Sequence, residues 1–482
     1  MFKKILLGLL SIIIILAAII LFNTFRYEKD VPLKTALPQP PLPDSAIAHL
    51  QKAITIKTIS WAIDKPIDTA AFEAFDNFLK TAYPLVFQKM KLQTFSNFTM
   101  LLQWQGKNTA LHPYVLMAHY DVVPVEDSAV SKWNADPFGG ELKDDKIWGR
   151  GTIDDKGCVI AILEAAEKLI AENFQPEQTI YFSFGHNEEI GGNQGTSEVA
   201  AWFKNNKIQP EIVLDEGGMI TKSFKTITRP VALISTAEKG FISFQLQAEI
   251  QGGHSSQPAK ETAIDVLSKA LVKLREEQMP PKFTAPVDEM FLRLGNQLPF
   301  VQRMALANRW LFQSTIISMA QADPRQNAML HTTIVPTIFQ SGIKDNVIPS
   351  VATATVNSRV LPGDDVDAVE AFMKTKINDD RIKITRLSEG FYTTPTITPV
   401  DSKAFTYTEK IVYETVKDAL PSPLQLMGAT DSRYFQGIAT GIVKFTPFTD
   451  VSGYHGINEF LNVSDFRQMI FFYAQFIRES GE

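Results

Sequence analysis

Short apolar runs alternate with amphipathic segments along most of the chain. The runs YVLMAHYDVV and EIVLDEGG are typical of buried strands, whereas CVIAILEAAEKLIAE has the spacing of a helix that buries one face. This alternation predicts an α/β fold in which a mainly parallel sheet is flanked by helices. The same pattern returns near the C terminus, so we expect residues 45–236 and 394–482 to form one domain.

The segment between these two parts, residues 237–393, has a different order of elements. Strand-like runs such as GFISFQLQAEIQG and ATATVNSRVLP are each followed by helical segments. Residues 280–325 are rich in Met, Phe and Leu and are expected to form an additional helical excursion. The segment is therefore expected to be a smaller α+β domain inserted into the first domain.

The chain begins with a long apolar run. From Ile5 to Phe22, 18 residues in all, only Ser11 is polar. At about 1.5 Å per residue, such a helix nearly crosses a hydrocarbon layer of about 30 Å. We interpret residues 1–30 as an uncleaved transmembrane anchor, and a signal peptide that is cleaved before secretion is the alternative.

The flanks of this run bear on localisation. Lys3 and Lys4 favour a cytoplasmic N terminus, which would place the rest of the chain on the non-cytoplasmic side of the membrane. Residues 31–44 contain five prolines and are expected to form an extended tether.

The composition narrows the possible function classes. The formal net charge is -6 at pH 7, and no basic stripe with interleaved aromatic residues reverses it, so a nucleic-acid partner is not expected. The single cysteine, Cys158, excludes a zinc cluster that is built on several cysteines.

Residues whose side chains can bind metal ions or transfer protons follow several of the predicted strands. They are His119 and Asp121, Asp154 and Asp155, Glu188 and Glu189, and Asp215 and Glu216. In an open parallel sheet the carboxyl ends of the strands share one edge, and ligands bind there. Carboxylates gathered at that edge would repel one another unless cations compensated them. The pattern therefore predicts a site for two divalent metal ions.

Local geometry suggests roles within this set. Since His119 and Asp121 are two residues apart in an extended segment, the carboxylate can hold the imidazole ring as it ligates a metal. Glu188 and Glu189 are adjacent and point in different directions, so one can ligate metal while the other acts as a general base. Asp154, in a glycine-rich turn, is suited to bridge two ions.

Eight segments, in order along the chain, resemble motifs of a known family. They are MAHYDVVPV, WGRGTIDDKG, FGHNEEIGG, VLDEGG, GGHSSQP, NVIPSVATATVNSRVLPGD, MGATDSRYF and YHGINEFL. Together they resemble the zinc-dependent aminoacylase/carboxypeptidase metallopeptidase family, and within it the branch of carboxypeptidase S and the N-fatty-acyl-amino-acid hydrolase/synthase. The resemblance implies a catalytic domain that holds two Zn²⁺ and a lid domain, here residues 237–393, that often mediates dimerisation.

The resemblance also implies roles for single residues. His119 and Asp215 would bind one metal, Glu189 and His455 would bind the other, and Asp154 would bridge them. Glu188 would be the general base, and Asp121 would be the carboxylate behind the histidine ligand. The peptide bond between Asp154 and Asp155 would be cis.

Four further residues match substrate-recognition motifs of the family. Arg359 matches an arginine that pairs with a substrate carboxylate, and His254 matches a lid histidine that stabilises the tetrahedral oxyanion. Asn346 and Gly428 match positions near the substrate.

These observations favour a di-zinc hydrolase that cleaves the amide bond of N-acyl amino acids or small peptides with a free C-terminal carboxylate. Dipeptides, acetyl-amino acids and fatty-acyl-amino acids remain open as substrates, and Co²⁺ or Mn²⁺ as metals. The alternatives are a catalytically degenerate, membrane-anchored binding protein and a metal-dependent hydrolase of another ester or amide class.

Overall fold

The computed structural model of the chain describes residues 2–224, 226–387, 395–451 and 453–480, with all of their side chains except that of Asp44. The α-helices are α1 Phe2–Arg26, α2 Asp44–Thr55, α3 Thr69–Ala82, α4 Pro84–Lys89, α5 Asp127–Val130, α6 Lys156–Ala171, α7 Thr196–Asn205, α8 Ala263–Glu276, α9 Ala285–Leu294, α10 Phe300–Ala307, α11 Arg309–Gln321, α12 Pro324–Leu330, α13 Val366–Ile377, α14 Lys403–Thr415 and α15 Val463–Arg478. The strands are β1 Lys91–Phe95, β2 Thr99–Trp104, β3 Tyr114–His119, β4 Glu141–Lys143, β5 Lys146–Trp148, β6 Ile180–Gly185, β7 Ile212–Asp215, β8 Met219–Thr221, β9 Val231–Glu238, β10 Gly240–Glu249, β11 Gly253–His254, β12 Thr333–Ser341, β13 Val347–Ile348, β14 Val351–Val360, β15 Ile382–Arg386, β16 Leu420–Leu426, β17 Gly441–Lys444 and β18 Phe460–Asn462.

The chain divides into two units, each made of several segments. The larger unit consists of Pro32–Ala237, Thr398–Leu424 and Thr430–Glu482, and the smaller unit consists of Met1–Val31, Glu238–Ile397 and Gln425–Ala429. One division therefore falls within a residue of the predicted boundary at 236/237. The other predicted boundary, at 393/394, lies outside the described residues. The assignment of the predicted domains to functions stays a prediction.

The larger unit is built around a mixed sheet. Within the described residues nine strands take part, in the order β1-β2-β6-β3-β7-β17-β9-β16, and β8 pairs with β9. The four central strands, β6, β3, β7 and β17, are parallel, whereas β1, β2, β8 and β9 pair antiparallel. The predicted α/β fold with a parallel sheet is thus confirmed, and antiparallel strands extend the sheet beyond its centre.

The register of the parallel strands brings their carboxyl ends to one edge. His119 at the end of β3 is opposite Gly185 at the end of β6, and Asp215 at the end of β7 is opposite Lys444 of β17. All residues of β3, β6 and β7 are buried, because helices cover the sheet on both faces. Side chains that directly follow these strands therefore meet at a shared edge.

Helix α6 is the central helix of this core. Twelve of its residues are buried, and it contacts α2, α4, α15 and β3. Truncation of a fully buried residue such as Leu163 to alanine would cost about 2–5 kcal/mol, since the surrounding core relaxes only in part. The loop before α6 is therefore attached to a rigid element.

The proline-rich tether predicted at residues 31–44 has no helix or strand before α2, as expected. It is nevertheless attached to the larger unit. Arg467 of α15 donates to the carbonyl oxygens of Gln39 (2.9 Å) and Pro40 (2.6 Å), and the Leu37 amide donates to the Glu414 carbonyl (2.7 Å). These hydrogen bonds hold the segment along α14 and α15.

The smaller unit contains a four-stranded antiparallel sheet in the order β12-β14-β10-β15. Alternate residues of β10 are buried, from Ile242 to Ala248, because one face packs on α8. Helix α8 begins with a capping box in which Thr262 and Asp265 bond each other's backbone amides. The apolar stretch between residues 280 and 325 is helical, as predicted, and forms α9, α10 and α11.

Helix α1 also groups with the smaller unit. An 18-residue window of this helix has a mean hydropathy of 3.3 and no buried residue, so α1 is long and apolar enough to cross a membrane. A signal sequence near the N terminus has the same length and composition. The transmembrane anchor therefore stays a prediction.

Candidate metal centre

The candidate side chains come from strand ends and from two loops of the larger unit. They are His119 at the end of β3, Asp154 in the loop between β5 and α6, Glu188 and Glu189 in a 3-10 turn after β6, Glu216 directly after β7, and His455 in the loop before β18. The topology of the parallel sheet therefore gathers residues that are up to 336 positions apart, from 119 to 455.

Two groups of three potential ligands share Asp154. In the first group, His119 Nε2 lies 3.1 Å from Asp154 Oδ1 and 3.3 Å from Glu216 Oε1. In the second group, His455 Nε2 lies 3.1 Å from Asp154 Oδ2 and 3.1 Å from Glu189 Oε2. Each group has its ligand atoms within 4.8 Å of one another. One oxygen of Asp154 faces each group, which is the arrangement of a carboxylate that bridges two cations.

The donor set fits metal ions, and one buried atom supports this directly. The Glu189 side chain is 3% exposed, and its Oε1 has no hydrogen-bond partner among the described residues. A buried carboxylate oxygen without a partner is costly unless a cation or a water completes its environment. Imidazole nitrogens and carboxylate oxygens are also the ligands that zinc prefers when cysteine is absent.

Burial and mutual interactions shift the pKa values of several groups in the cluster. Burial, followed by the negative charge of Asp154, raises the pKa of Glu216 to about 7. Burial also raises the pKa of Glu189. Hydrogen bonds to Asp154 and Glu189 raise the pKa of His455 to about 10. Metal ions would displace protons from these groups, because ligating imidazoles and carboxylates must be deprotonated.

Asp121 connects the His119 ring to the turn that carries the glutamates. His119 Nδ1 lies 3.1 Å from the Asp121 carbonyl oxygen and 3.3 Å from its Oδ1. The two carboxylate oxygens accept hydrogen bonds from the amides of Glu188 (3.1 Å) and Glu189 (3.2 Å). Asp121 therefore contacts both the His119 ring and the backbone amides of the glutamate turn, and its role behind a metal-binding histidine stays a prediction.

Glu188 is the remaining carboxyl of that turn. Its pKa is raised well above the ordinary value, mainly by burial, and the negative charges of Asp431, Glu216 and Glu189 raise it further against the opposing effect of His119. A carboxyl with an elevated pKa beside a metal site has the properties of a general base.

The structure places Glu216, and not Asp215, beside His119. The carboxylate of Asp215 accepts hydrogen bonds from the amides of Glu216 (3.0 Å) and Ser432 (2.9 Å), so both of its oxygens have backbone partners. The side chain one position later reaches the first ligand group. The geometry therefore favours Glu216 over the predicted Asp215 as the ligand at this position.

A buried ion pair that the sequence analysis did not single out supports both metal loops. Arg150 Nη1 lies 2.6 Å from Glu459 Oε2, and Arg150 Nη2 donates to the Gly456 carbonyl (2.8 Å), next to His455. Glu459 Oε1 accepts from the amides of Gly151 (2.9 Å) and Ile153 (3.0 Å), in the loop of Asp154. Both charges lie inside the motif segments WGRGTIDDKG and YHGINEFL, but nothing in either segment identifies them as partners.

The residues after Asp154 have structural contacts. The Asp154–Asp155 peptide bond is cis, as the family resemblance implied. Asp155 Oδ2 accepts a hydrogen bond from the His119 amide (3.3 Å). Lys156 is fully buried, donates to the carbonyl oxygens of Ala53 (3.0 Å) and Ile56, and has its pKa lowered by burial to about 7.

The four candidate substrate-recognition residues belong to the smaller unit. His254 in β11 is exposed, and its Nδ1 accepts from the Ser256 amide (3.1 Å), so the neutral ring carries its proton on Nε2. The Asn346 carbonyl accepts from the Ser255 amide (3.2 Å), which places Asn346 near His254.

The remaining two candidates are separate from that pair. Arg359 lies in β14 with its guanidinium 4.8 Å from the centre of the Phe241 ring. Around Gly428, a side-chain carbon would meet no atom of the described residues within 4 Å, so none of these neighbours requires glycine there.

Comparisons with known proteins identify the family of the chain. Residues 115–479 match the model of peptidase family M20/M25/M40. The chain is 35% identical to the probable carboxypeptidase S-like 2 of Dictyostelium discoideum, over 99% of this chain and 93% of the relative. It is also 35% identical to the N-fatty-acyl-amino acid synthase/hydrolase PM20D1 of Homo sapiens, over 95% of this chain and 89% of the relative.

A solved structure shows the same fold. The M20 family metallo-carboxypeptidase Sso-CP2 from Sulfolobus solfataricus superposes with a TM-score of 0.68 and 18% identity, covering 90% of this chain and 99% of that protein. The family predicted from the eight sequence motifs is thereby confirmed. The chain therefore belongs to peptidase family M20/M25/M40, whose members are metal-dependent hydrolases.

Proposed function

We propose that the protein is a di-zinc hydrolase that cleaves the amide bond of N-acyl amino acids or small peptides with a free C-terminal carboxylate. The observation that carries this proposal is the shared Asp154, which has one oxygen 3.1 Å from His119 and the other 3.1 Å from His455. A carboxylate between two ligand groups matches a site for two adjacent ions.

The metal-binding residues in this proposal form two sets. They are His119, Glu216 and Asp154 for one ion and His455, Glu189 and Asp154 for the other. Bound zinc ions would lower the pKa of a water molecule towards neutrality and polarise the amide carbonyl. The histidines and carboxylates of the chain would hold these ions in place, and Asp121 would keep the His119 ring oriented.

The remaining steps belong to side chains. Glu188 accepts the proton of the attacking water and later delivers it to the departing amine. His254 donates a hydrogen bond from Nε2 to the oxyanion that forms at the carbonyl carbon. Arg359 pairs with the substrate carboxylate, since its planar guanidinium can offer two parallel hydrogen bonds. Asn346 and Gly428 would lie near the bound substrate.

Within this chemistry, fatty-acyl-amino acids are the favoured substrate class. The relative named as an N-fatty-acyl-amino acid synthase/hydrolase matches 95% of this chain, and the apolar α1 would keep the enzyme near lipid-like acyl chains. We also propose that α1 anchors the chain with both units on the non-cytoplasmic side, and that the smaller unit acts as a lid and as a possible dimerisation surface.

A matched substrate panel tests the proposal. The full-length protein is incubated with an N-fatty-acyl amino acid, the corresponding N-acetyl amino acid, a dipeptide, and the C-terminal amide of the first compound. Hydrolysis is measured before chelation, after chelation, and after zinc is restored. We expect zinc-dependent hydrolysis of the free acids and a much higher KM for the amide. Equal hydrolysis of acid and amide would contradict the carboxylate-recognition part, and chelator-resistant hydrolysis would contradict the metal mechanism.

A further inference from the structure

We propose that the segment formed by α10 and α11, Phe300–Gln321, lies in the surface of the lipid bilayer that α1 enters. The chain would then contact the membrane through two elements, one that crosses it and one that rests in its interface. This inference goes beyond the hydrolase function and rests on the proposed anchoring role of α1.

Helix α1 is held by the turn between α10 and α11. Asn308, which is fully buried in this turn, donates to the Ile20 carbonyl (3.1 Å) and to Thr24 Oγ1 (3.3 Å). In return, Asn23 donates to Asn308 Oδ1 (3.0 Å). Thr24 is fully buried, whereas the apolar window of α1 is not buried at all. The turn between α10 and α11 thus contacts α1 at the end of its apolar run.

This contact fixes the depth at which α10 and α11 would lie in the bilayer. The apolar run ends at Phe22, so the Ile20 carbonyl lies about 3 Å inside the run. If α1 spans the bilayer, Asn308 lies at the boundary between headgroups and acyl chains. Helices that lie in this boundary bury their apolar residues to a depth of about 5–10 Å. The residues on both sides of Asn308 are therefore within reach of lipid.

Several residues of α10 and α11 are large, apolar and exposed. Val301 is 67% exposed in α10, and Trp310 is 60% exposed at the start of α11. The exposed Phe300 ring lies 6.2 Å from the ring of Phe25, which is itself 62% exposed at the end of α1. The apolar surface is thus continuous with the proposed membrane helix. Tryptophan at such a position is typical of a membrane interface.

Several charges around this surface form ion pairs. Three cationic side chains near it are paired: Arg303 with Glu28, Lys29 with Glu289, and Arg309 with Asp288. The charges of these six side chains cancel. A neutral apolar surface fits a zwitterionic bilayer and does not require anionic lipid.

Spin labels at three matched positions test this inference. Single cysteines are placed at Val301, at Val272 and at Ile12 in the full-length chain, whose only native cysteine, Cys158, is buried. Val272 lies in α8 of the same unit and is 53% exposed, so it is the matched control for Val301. Ile12 is 62% exposed in the middle of α1 and reports on the anchor. Each labelled protein is reconstituted in phosphatidylcholine vesicles.

The measured quantity is the rate at which each label collides with oxygen relative to a water-soluble nickel chelate. We expect this ratio to be several-fold higher at Val301 and Ile12 than at Val272. A Val301 label as accessible to the chelate as the Val272 label, with Ile12 in lipid, would overturn the inference and leave the anchor standing. Aqueous labels at both Val301 and Ile12 would remove the anchor and the inference together, without bearing on the hydrolase function. Entry of Val301 only into vesicles with added phosphatidylglycerol would also overturn it, since contact would then depend on charge.

Discussion

At the residue scale, the proposed mechanism depends most on Glu188. The backbone amide of Glu188 donates a hydrogen bond to Asp121, and the proposal assigns proton transfer to its side-chain carboxyl. We predict that Glu188→Gln lowers kcat by roughly 10²- to 10⁴-fold, because the amide cannot accept the proton of the attacking water. The bound metal, measured by atomic emission on the purified protein, should stay at two ions per chain.

The control for this variant is Glu73→Gln, which changes an exposed glutamate of α3 in the same unit. It should leave kcat and metal content unchanged. Retention of most of the turnover in Glu188→Gln would exclude the role of general base.

Asp215 and Glu216 give a second prediction at this scale. Glu216→Gln should reduce the bound metal to about one ion per chain, because its carboxylate belongs to the first ligand group. Asp215→Asn should keep both ions but lower the free energy of unfolding by about 1–3 kcal/mol, since its side-chain amide would face a backbone N–H. The reverse result, metal loss in Asp215→Asn alone, would restore the sequence-based assignment.

Asp215 and Glu216 also show that a sequence pattern does not determine which of two adjacent side chains reaches the site. The sequence indicated that an acidic residue after β7 would reach the edge of the sheet, and this could be inferred from the parallel topology alone. Which of two adjacent carboxylates reaches it depends on the residue at which the strand ends, because one step turns a side chain to the opposite direction. β7 ends at Asp215, and Glu216 is the residue that turns towards His119.

At the scale of elements, the Arg150–Glu459 pair connects two loops that each carry a proposed metal ligand. Both side chains are almost fully buried, and the pair lies 2.6 Å apart. We predict that Arg150→Ala lowers the free energy of unfolding by about 3–5 kcal/mol, because Glu459 would stay buried without its partner. Chemical denaturation of the metal-free protein measures this effect.

A surface pair provides the matched control. Arg478 and Glu172 lie 2.8 Å apart with about two fifths of each side chain exposed, so Arg478→Ala should cost less than about 1 kcal/mol. Equal effects of the two variants would contradict the supporting role of the buried pair. This pair could not be inferred from the sequence, because its members are 309 positions apart and nothing in either segment identifies the partner.

At the scale of the whole molecule, metal binding should stabilise the larger unit. An apparent gain of about 4 kcal/mol is expected when free zinc exceeds its dissociation constant about 1,000-fold, because the ions bind the folded state. We therefore predict that chelation lowers Tm and that added zinc restores it, as measured by calorimetry.

Two histidine variants show where this stabilisation arises. His455→Ala should lose a large part of the zinc-dependent shift in Tm, whereas His112→Ala, which removes an exposed ring of the same unit, should retain it. An unchanged shift in both variants would place the stabilising metal elsewhere.

The fold could be predicted from the sequence more fully than the details of the site. Alternating apolar runs predicted the parallel core, because strands that are buried on both faces require apolar residues throughout. The antiparallel extension through β1 and β2 was missed, since strand direction is set by pairing across the sheet and leaves no mark in the strand itself. The attachment of residues 31–44 to α15 was missed because prolines indicate extended backbone but give no partner.

The central claim is that Asp154 bridges two metal ions, and crystals of the zinc-loaded protein test it most directly. Diffraction data are collected on each side of the zinc absorption edge, and an anomalous difference map is calculated from each data set. We predict two peaks roughly 3.5–4 Å apart, one beside His119 and Glu216 and the other beside His455 and Glu189, with Asp154 in contact with both. A single peak, or two peaks without Asp154 between them, would contradict the account.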